Sequence, residues 1–220
     1  MLSILSAGAH VPRYRIARAD IVDANRWFAG GMGSLARGER AYANWDEDAI
    51  TMAVAAGRIA LANGQAPSEV WLASTTAPFA DRQNAGLVAA ALGCEEEVAT
   101  LDLGGAARCG TSALITALRG EENADRSVLV AASEHRLARA GSAEELTSTD
   151  AAAAILVGEG EGIARILGVA QRSVDFVDHY RASDRDFNYG WEERWIRDEG
   201  YARLVPPVVA EALAAAGLAA

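Results

Sequence analysis

The sequence predicts an α/β fold, a mixed, mostly parallel sheet flanked by helices, and three observations carry that expectation. Short apolar runs that end in glycine, serine or proline alternate with segments of helical periodicity through the first two thirds of the chain. The stretch Leu101–Gly120, LDLGGAARCGTSALITALRG, condenses this into one strand, a two-glycine turn and a helix. The composition, 51% hydrophobic and 23% charged over 220 residues, supplies enough apolar surface for a sizeable core.

Taken in order, Leu2–Ala7 reads as the first strand. His10–Ile16 reads as an irregular exit in which Pro12 forbids a helix. A helix is expected over Ala19–Phe28, closed by Gly30 and Gly31, and Gly33–Asn44 is a loop by its glycine-rich, basic composition. The next helix opens on Asp46, Glu47 and Asp48, acids placed where a helix N-terminus favours them, and carries Ile50, Ala53, Val54, Gly57 and Leu61 at helical spacing. Glu69–Ser74 is a strand, Gln83–Leu92 a helix stopped by Gly93, and Val98–Leu103 the strand feeding the central turn. The helix beginning near Arg108 and Cys109 is apolar on nearly every side, which predicts burial all round. Strands follow at Ser127–Ser133, Ala151–Val157 and Ile163–Val169, the last pairing with its predecessor across the turn GEGEG. Beyond Val174, residues Asp175–Tyr201 are dense in charge and aromatics, a surface excursion packed by Trp191, Trp195 and Tyr201. Pro206 and Pro207 then open a last helix that runs into the terminus.

The formal charge of −10 is spread along the chain, which weighs against nucleic acid or an anionic membrane as partner. The Ala-rich segments are interrupted by charge and glycine well before the about 18 residues a membrane span needs. Cys94 and Cys109 are the only cysteines, and they lack C-x-x-C spacing. They offer neither a zinc site nor a disulfide framework, and without a secretory leader the expected compartment is the cytoplasm.

Cys109 is the candidate with chemistry. At a helix start, unsatisfied backbone N–H groups and the helix dipole favour a thiolate able to attack a thioester. A free cysteine is more often a small buried hydrophobe, and Cys94 in its Gly-Cys-Glu turn is read as passive. Gly104-Gly105 lacks the spacing of a phosphate cradle and is read as a tight turn.

The runs Val11-Pro12-Arg13-Tyr14-Arg15-Ile16, Gly38-Glu39-Arg40 leading to Asp46-Glu47-Asp48-Ala49-Ile50-Thr51-Met52-Ala53, Cys109-Gly110-Thr111-Ser112-Ala113 and Asp150-Ala151-Ala152-Ala153-Ala154 together resemble the prokaryotic hydroxymethylglutaryl-CoA synthases and their relatives in the thiolase superfamily. The resemblance runs essentially from end to end. It implies two similar halves, each a sheet between helices, of which residues 1–170 are the N-terminal thiolase-like domain and 171–220 the incomplete start of the second. It also implies acyltransferase chemistry on a coenzyme A thioester substrate with no tightly bound cofactor. Cys109 would be the nucleophile, with Thr75, Ala107, Arg108 and Gly110 around the substrate. Arg108 would meet a CoA phosphate or an acidic acyl group, or else cap the helix. The assembly implied is a homodimer, with a small OB-fold, zinc-ribbon partner protein in some relatives.

Three departures from the family pattern qualify the chemistry. The family cysteine lies three positions before the Gly-Thr pair, where this chain has Ala107. Two residues on a helix are about 200° of rotation, so Cys109 reaches the same pocket only if the preceding turn is remodelled. Thr75 stands where the synthases place a glutamate base, and threonine takes no proton from a thioester methyl at neutral pH. The family's catalytic histidine belongs to the second half, so the chain is read as a fragment, a truncated product or one member of a split pair. His135 or His179 in principle replaces that histidine, although a loop histidine is more often a surface residue. Binding or scaffolding without turnover is the competing function.

Overall fold

The structure, a computed structural model, describes residues 2–120 and 125–219. These form two compact units, one running to Arg136 and including Ala140–Arg165, the other comprising Leu137–Arg139 and the chain from Ile166 onward.

In the first unit the elements are β1 (Leu2–His10), β2 (Tyr14–Ala17), α1 (Arg18–Asn25), a 3-10 turn (Gly33–Leu35), β3 (Glu39–Tyr42), α2 (Ala49–Ala60), β4 (Glu69–Ala73), α3 (Asn84–Leu92), β5 (Ala99–Leu103), α4 (Cys109–Leu118), β6 (Ser127–Glu134), α5 (Ala143–Thr147), β7 (Ala151–Glu159) and β8 (Ala164–Arg165). The central sheet has the order β5-β4-β6-β7-β1-β8. β5, β4, β6 and β1 run one way, and β7 and β8 run against them. Alternation along each strand divides the core. Val70, Leu72, Leu129 and Ala131 pack towards α2 and α3, whereas Trp71, Ala73, Val128 and Val130 pack with α4.

Local signals explain most boundaries. Asp48 accepts from Thr51 N at 2.8 Å and Thr51 Oγ1 accepts from Asp48 N at 2.7 Å, a reciprocal cap that starts α2. Gly93 ends α3 in the left-handed region at φ 74°, and Gly105 turns the chain from β5 towards α4 at φ 80°.

Four expectations are corrected. The loop expected over 33–44 contains β3, which pairs antiparallel with β2 inside the expected irregular exit. Tyr14 stacks on Tyr42 at 5.6 Å, and the Thr149 hydroxyl holds both polar groups of the Ala41 backbone. The strand after GEGEG is short and pairs with β1, not β7, because β7 already has β6 and β1 on its two sides. α4 is not buried all round: Cys109, Ala113 and Ala117, one stripe at helical spacing, are buried, while Thr111 and Thr116 are exposed. The prolines do not open the last helix but lie within it, since their fixed φ is helical even though they donate no N–H.

The second unit holds a short hairpin, β9 (His179–Tyr180) with β10 (Tyr189–Gly190), then α6 (Glu193–Trp195), a π-helical turn (Ile196–Tyr201) and α7 (Ala202–Ala215). Phe176 stacks on Trp195 at 4.3 Å and Trp191 meets Trp195 at 6.3 Å. Tyr201, expected to join this packing, is exposed, and Gly200 faces the Phe176 ring instead. Ala220, the last residue of the expected terminal helix, lies outside the described residues.

Candidate functional site

The C-terminal ends of the parallel strands β4 and β6 and the start of α4 meet on one face of the sheet, the kind of edge at which open α/β sheets bind ligands. Two-residue alternation sends Thr75 from β4 and Glu134 from β6 to that face. Glu134 accepts from Thr75 N at 2.7 Å through Oε1. Through Oε2 it accepts from the hydroxyls of Thr75 and Thr76, each at 3.0 Å. Arg136 Nη2 donates to Thr75 Oγ1 at 3.0 Å and lies 4.0 Å from Glu134 Oε2, while Nη1 lies 3.8 Å from Glu144. Thr76 Oγ1 also accepts from His135 N at 2.9 Å, so the two strand ends are tied together.

Cys109 begins α4 as expected, but its side chain is 6% exposed and lies in the core cluster with Trp71, Ala73, Ala113 and Val130. Burial pushes the thiol above its ordinary pKa, and the Glu134 carboxylate pushes in the same direction. The backbone N–H groups of Gly110 and Cys109 and the Arg136 guanidinium act the other way. The lowering expected of a helix start is therefore present but outweighed. Ala107 and Arg108 are exposed in the turn before α4, and Arg108 is the residue from which the helix starts, its carbonyl accepting from Thr111 Oγ1 at 2.9 Å. Gly110 lets the helix lie close on β6, for a Cβ there would stand 3.0 Å from that of Ala132.

His135 does not join Cys109. One residue beyond Glu134, it leaves the strand on the opposite face, where Nδ1 lies 3.2 Å from the buried Asp150 carboxylate without the alignment of a hydrogen bond. His179 belongs to the second unit, with Nδ1 2.9 Å from Asp178. Glu134 and Arg136 are the site residues that the sequence reading passed over. The continuing alternation of Val128, Val130, Ala132 and Glu134 was the signal for the first. Both cysteines are free, and among the described residues there is no grouping of three metal-ligating side chains and no helix long and apolar enough to cross a membrane.

No family model matches the chain. It is 32% identical over 188 residues to the hydroxymethylglutaryl-CoA synthase of Thermococcus onnurineus, covering 82% of this chain and 52% of that one. To the synthase of Methanocella arvoryzae it is 30% identical over 215 residues, covering 93% of this chain and 60% of the other. The chain thus spans about half the length of the curated relatives it matches. Among solved structures, an HMG-CoA synthase complexed with CoA superposes with a TM-score of 0.79 at 21% identity, over 97% of this chain and 56% of its own, which shows a shared fold. Sequence likeness and shared fold converge: the chain is a hydroxymethylglutaryl-CoA synthase-like protein belonging to the thiolase superfamily.

Proposed function

We propose that this chain handles acyl-CoA thioesters in carbon–carbon bond chemistry, Claisen-type condensation or the reverse thiolytic cleavage, at the β4, β6 and α4 edge. The observation that carries this reading is its identity with hydroxymethylglutaryl-CoA synthases over most of its length. A structural neighbour solved with CoA agrees with the substrate class. Residues 1–170 are the first thiolase-like half in this reading and 171–220 the beginning of the second, with Thr75, Ala107, Arg108 and Gly110 around the thioester. The proposed assembly is a cytoplasmic homodimer, with an OB-fold, zinc-ribbon protein as a further partner.

Cys109 is the acyl acceptor: its sulfur attacks the thioester carbonyl, the carbon–sulfur bond to CoA breaks, and CoA leaves as the thiol with the proton that Cys109 gives up. Because burial and Glu134 hold that proton on the sulfur, acylation is expected to be slow at neutral pH and to rise as pH enters and passes the ordinary thiol range. Incubation with mass-tagged acetyl-CoA followed by peptide mapping tests this. The label should sit on Cys109, increase with pH and vanish in Cys109→Ala. The thiol's place in the core favours a second reading, thioester binding without acyl transfer. Saturable binding with no label at any pH would select it.

A further inference from the structure

The second unit carries a run of aromatic rings that pack on one another yet stay in contact with solvent. Phe176 stacks on Trp195 at 4.3 Å, Trp195 meets Trp191 at 6.3 Å, Trp191 meets Tyr189 edge-on at 6.2 Å, and Tyr189 lies 5.3 Å from Tyr180 across the β9–β10 hairpin. Tyr180, Tyr189 and Trp191 are 52%, 57% and 47% exposed, so these rings form a surface and not a core. They are held in place all the same. The hairpin register pairs Tyr189 with Tyr180, and Trp191 N donates to the Asp178 carbonyl at 2.8 Å. Aromatic groups fixed before binding lose little conformational freedom when a partner arrives.

The charge around the rings selects that partner. Residues 175–201 carry eight carboxylates against four arginines. Two of those arginines are engaged by adjacent acids: Arg197 Nε donates to Asp198 at 2.8 Å, and Arg185 lies 3.7 Å from Asp184. Asp175, Asp186, Glu192 and Glu193 are exposed in the same segment. A surface of this sign repels phosphate-bearing partners. It attracts a cation twice over, through the carboxylates and through the negative faces of the tyrosine and tryptophan rings. Arginine adds a flat guanidinium that stacks on such rings while it pairs with carboxylates.

We propose that the β9–β10 hairpin and Trp191 beside it form a docking surface for an arginine-rich segment of a partner protein. Its guanidinium groups stack on Tyr180, Tyr189 and Trp191 and pair with the carboxylates around them. The surface lies within the second unit, and the assignment does not depend on the acyl-CoA reading.

The test titrates the full chain by calorimetry with an end-blocked tetra-arginine peptide and, separately, with the tetra-citrulline peptide, which keeps the shape and removes the charge. The arginine peptide should bind saturably, weaken as salt is raised, and bind at least about tenfold more tightly than its citrulline counterpart. Trp191→Leu and Tyr189→Leu keep an apolar side chain but remove a ring face, and each should weaken binding by about threefold to tenfold. Trp45→Leu, which removes the exposed tryptophan of the first unit, should leave it unchanged. Circular dichroism checks that the variants fold; if either leucine disrupts the hairpin, the comparison of arginine with citrulline on the wild type decides. Absence of saturable binding overturns the assignment, as does equal affinity for the two peptides. Undiminished binding in both folded leucine variants overturns it as well, because attraction to the acidic chain as a whole then accounts for the affinity.

Discussion

Gly8 shows how closely single positions are set. A Cβ there would stand 2.2 Å from the carbonyl oxygen of Ala56 and 2.6 Å from the amide nitrogen of Ala60, so β1 lies directly against the backbone of α2. Backbone atoms in a helix cannot swing aside as a side-chain end can. Gly8→Ala should therefore cost about 2 kcal/mol, read as a lower urea midpoint with an unchanged slope. The identity of Gly8 could be read from the sequence, but not what it faces. Glu134 and His135 make the same point at the site. They are adjacent and both polar, yet the pleat sends one to the α4 face and the other to the buried Asp150. Reading that difference requires the phase of β6, which the apolar run before it carries.

At the scale of elements, the start of α2 shows how one acidic run divides its work. Asp46-Glu47-Asp48 reads as a helix-opening cluster, but only Asp48 caps the helix, and Asp46 is exposed. Glu47 accepts from Asn44 N at 2.8 Å and meets His10 Nε2 at 2.8 Å, joining the end of β1 to the segment that precedes α2. The Asn44 amide chiefly holds the Glu47 carboxyl below its ordinary pKa; burial opposes this and His10 assists it. A lowered folded-state pKa adds stability that is present above the ordinary carboxylate value and is lost as pH falls through the folded value. Glu47→Gln should therefore be less stable than the wild type by about 1 kcal/mol at neutral pH, with the gap closing in acid. Thermal melts of the two proteins across that range measure it. α4 likewise starts where its sequence indicates, but it reads as apolar on nearly every side, and which side chains it buries depends on the sheet beneath it.

At the scale of the molecule, strand order decides which surfaces remain open. β5 is an outer strand of the central sheet, bonded to β4 on one side only, and Leu101 on it is 43% exposed. An open strand edge is a template for pairing, and in the homodimer proposed above it is the expected contact. Leu101→Arg should shift the protein from dimer to monomer in light scattering after size exclusion, with its circular dichroism unchanged. By itself the sequence determined most strands and helices of the central sheet, the acidic start of α2, the Gly93 stop, the start of α4 and the superfamily resemblance, because these depend on local periodicity, backbone preference and short motifs. Only the tertiary structure decided that β1 lies between β7 and β8, that Cys109 points into the core, and that Glu134 rather than His135 shares its face of the sheet. Those outcomes depend on which strands pair and on the phase with which each reaches the sheet edge. Partner choice sums burial and hydrogen bonding over segments far apart in the chain, and no local window of residues contains that sum.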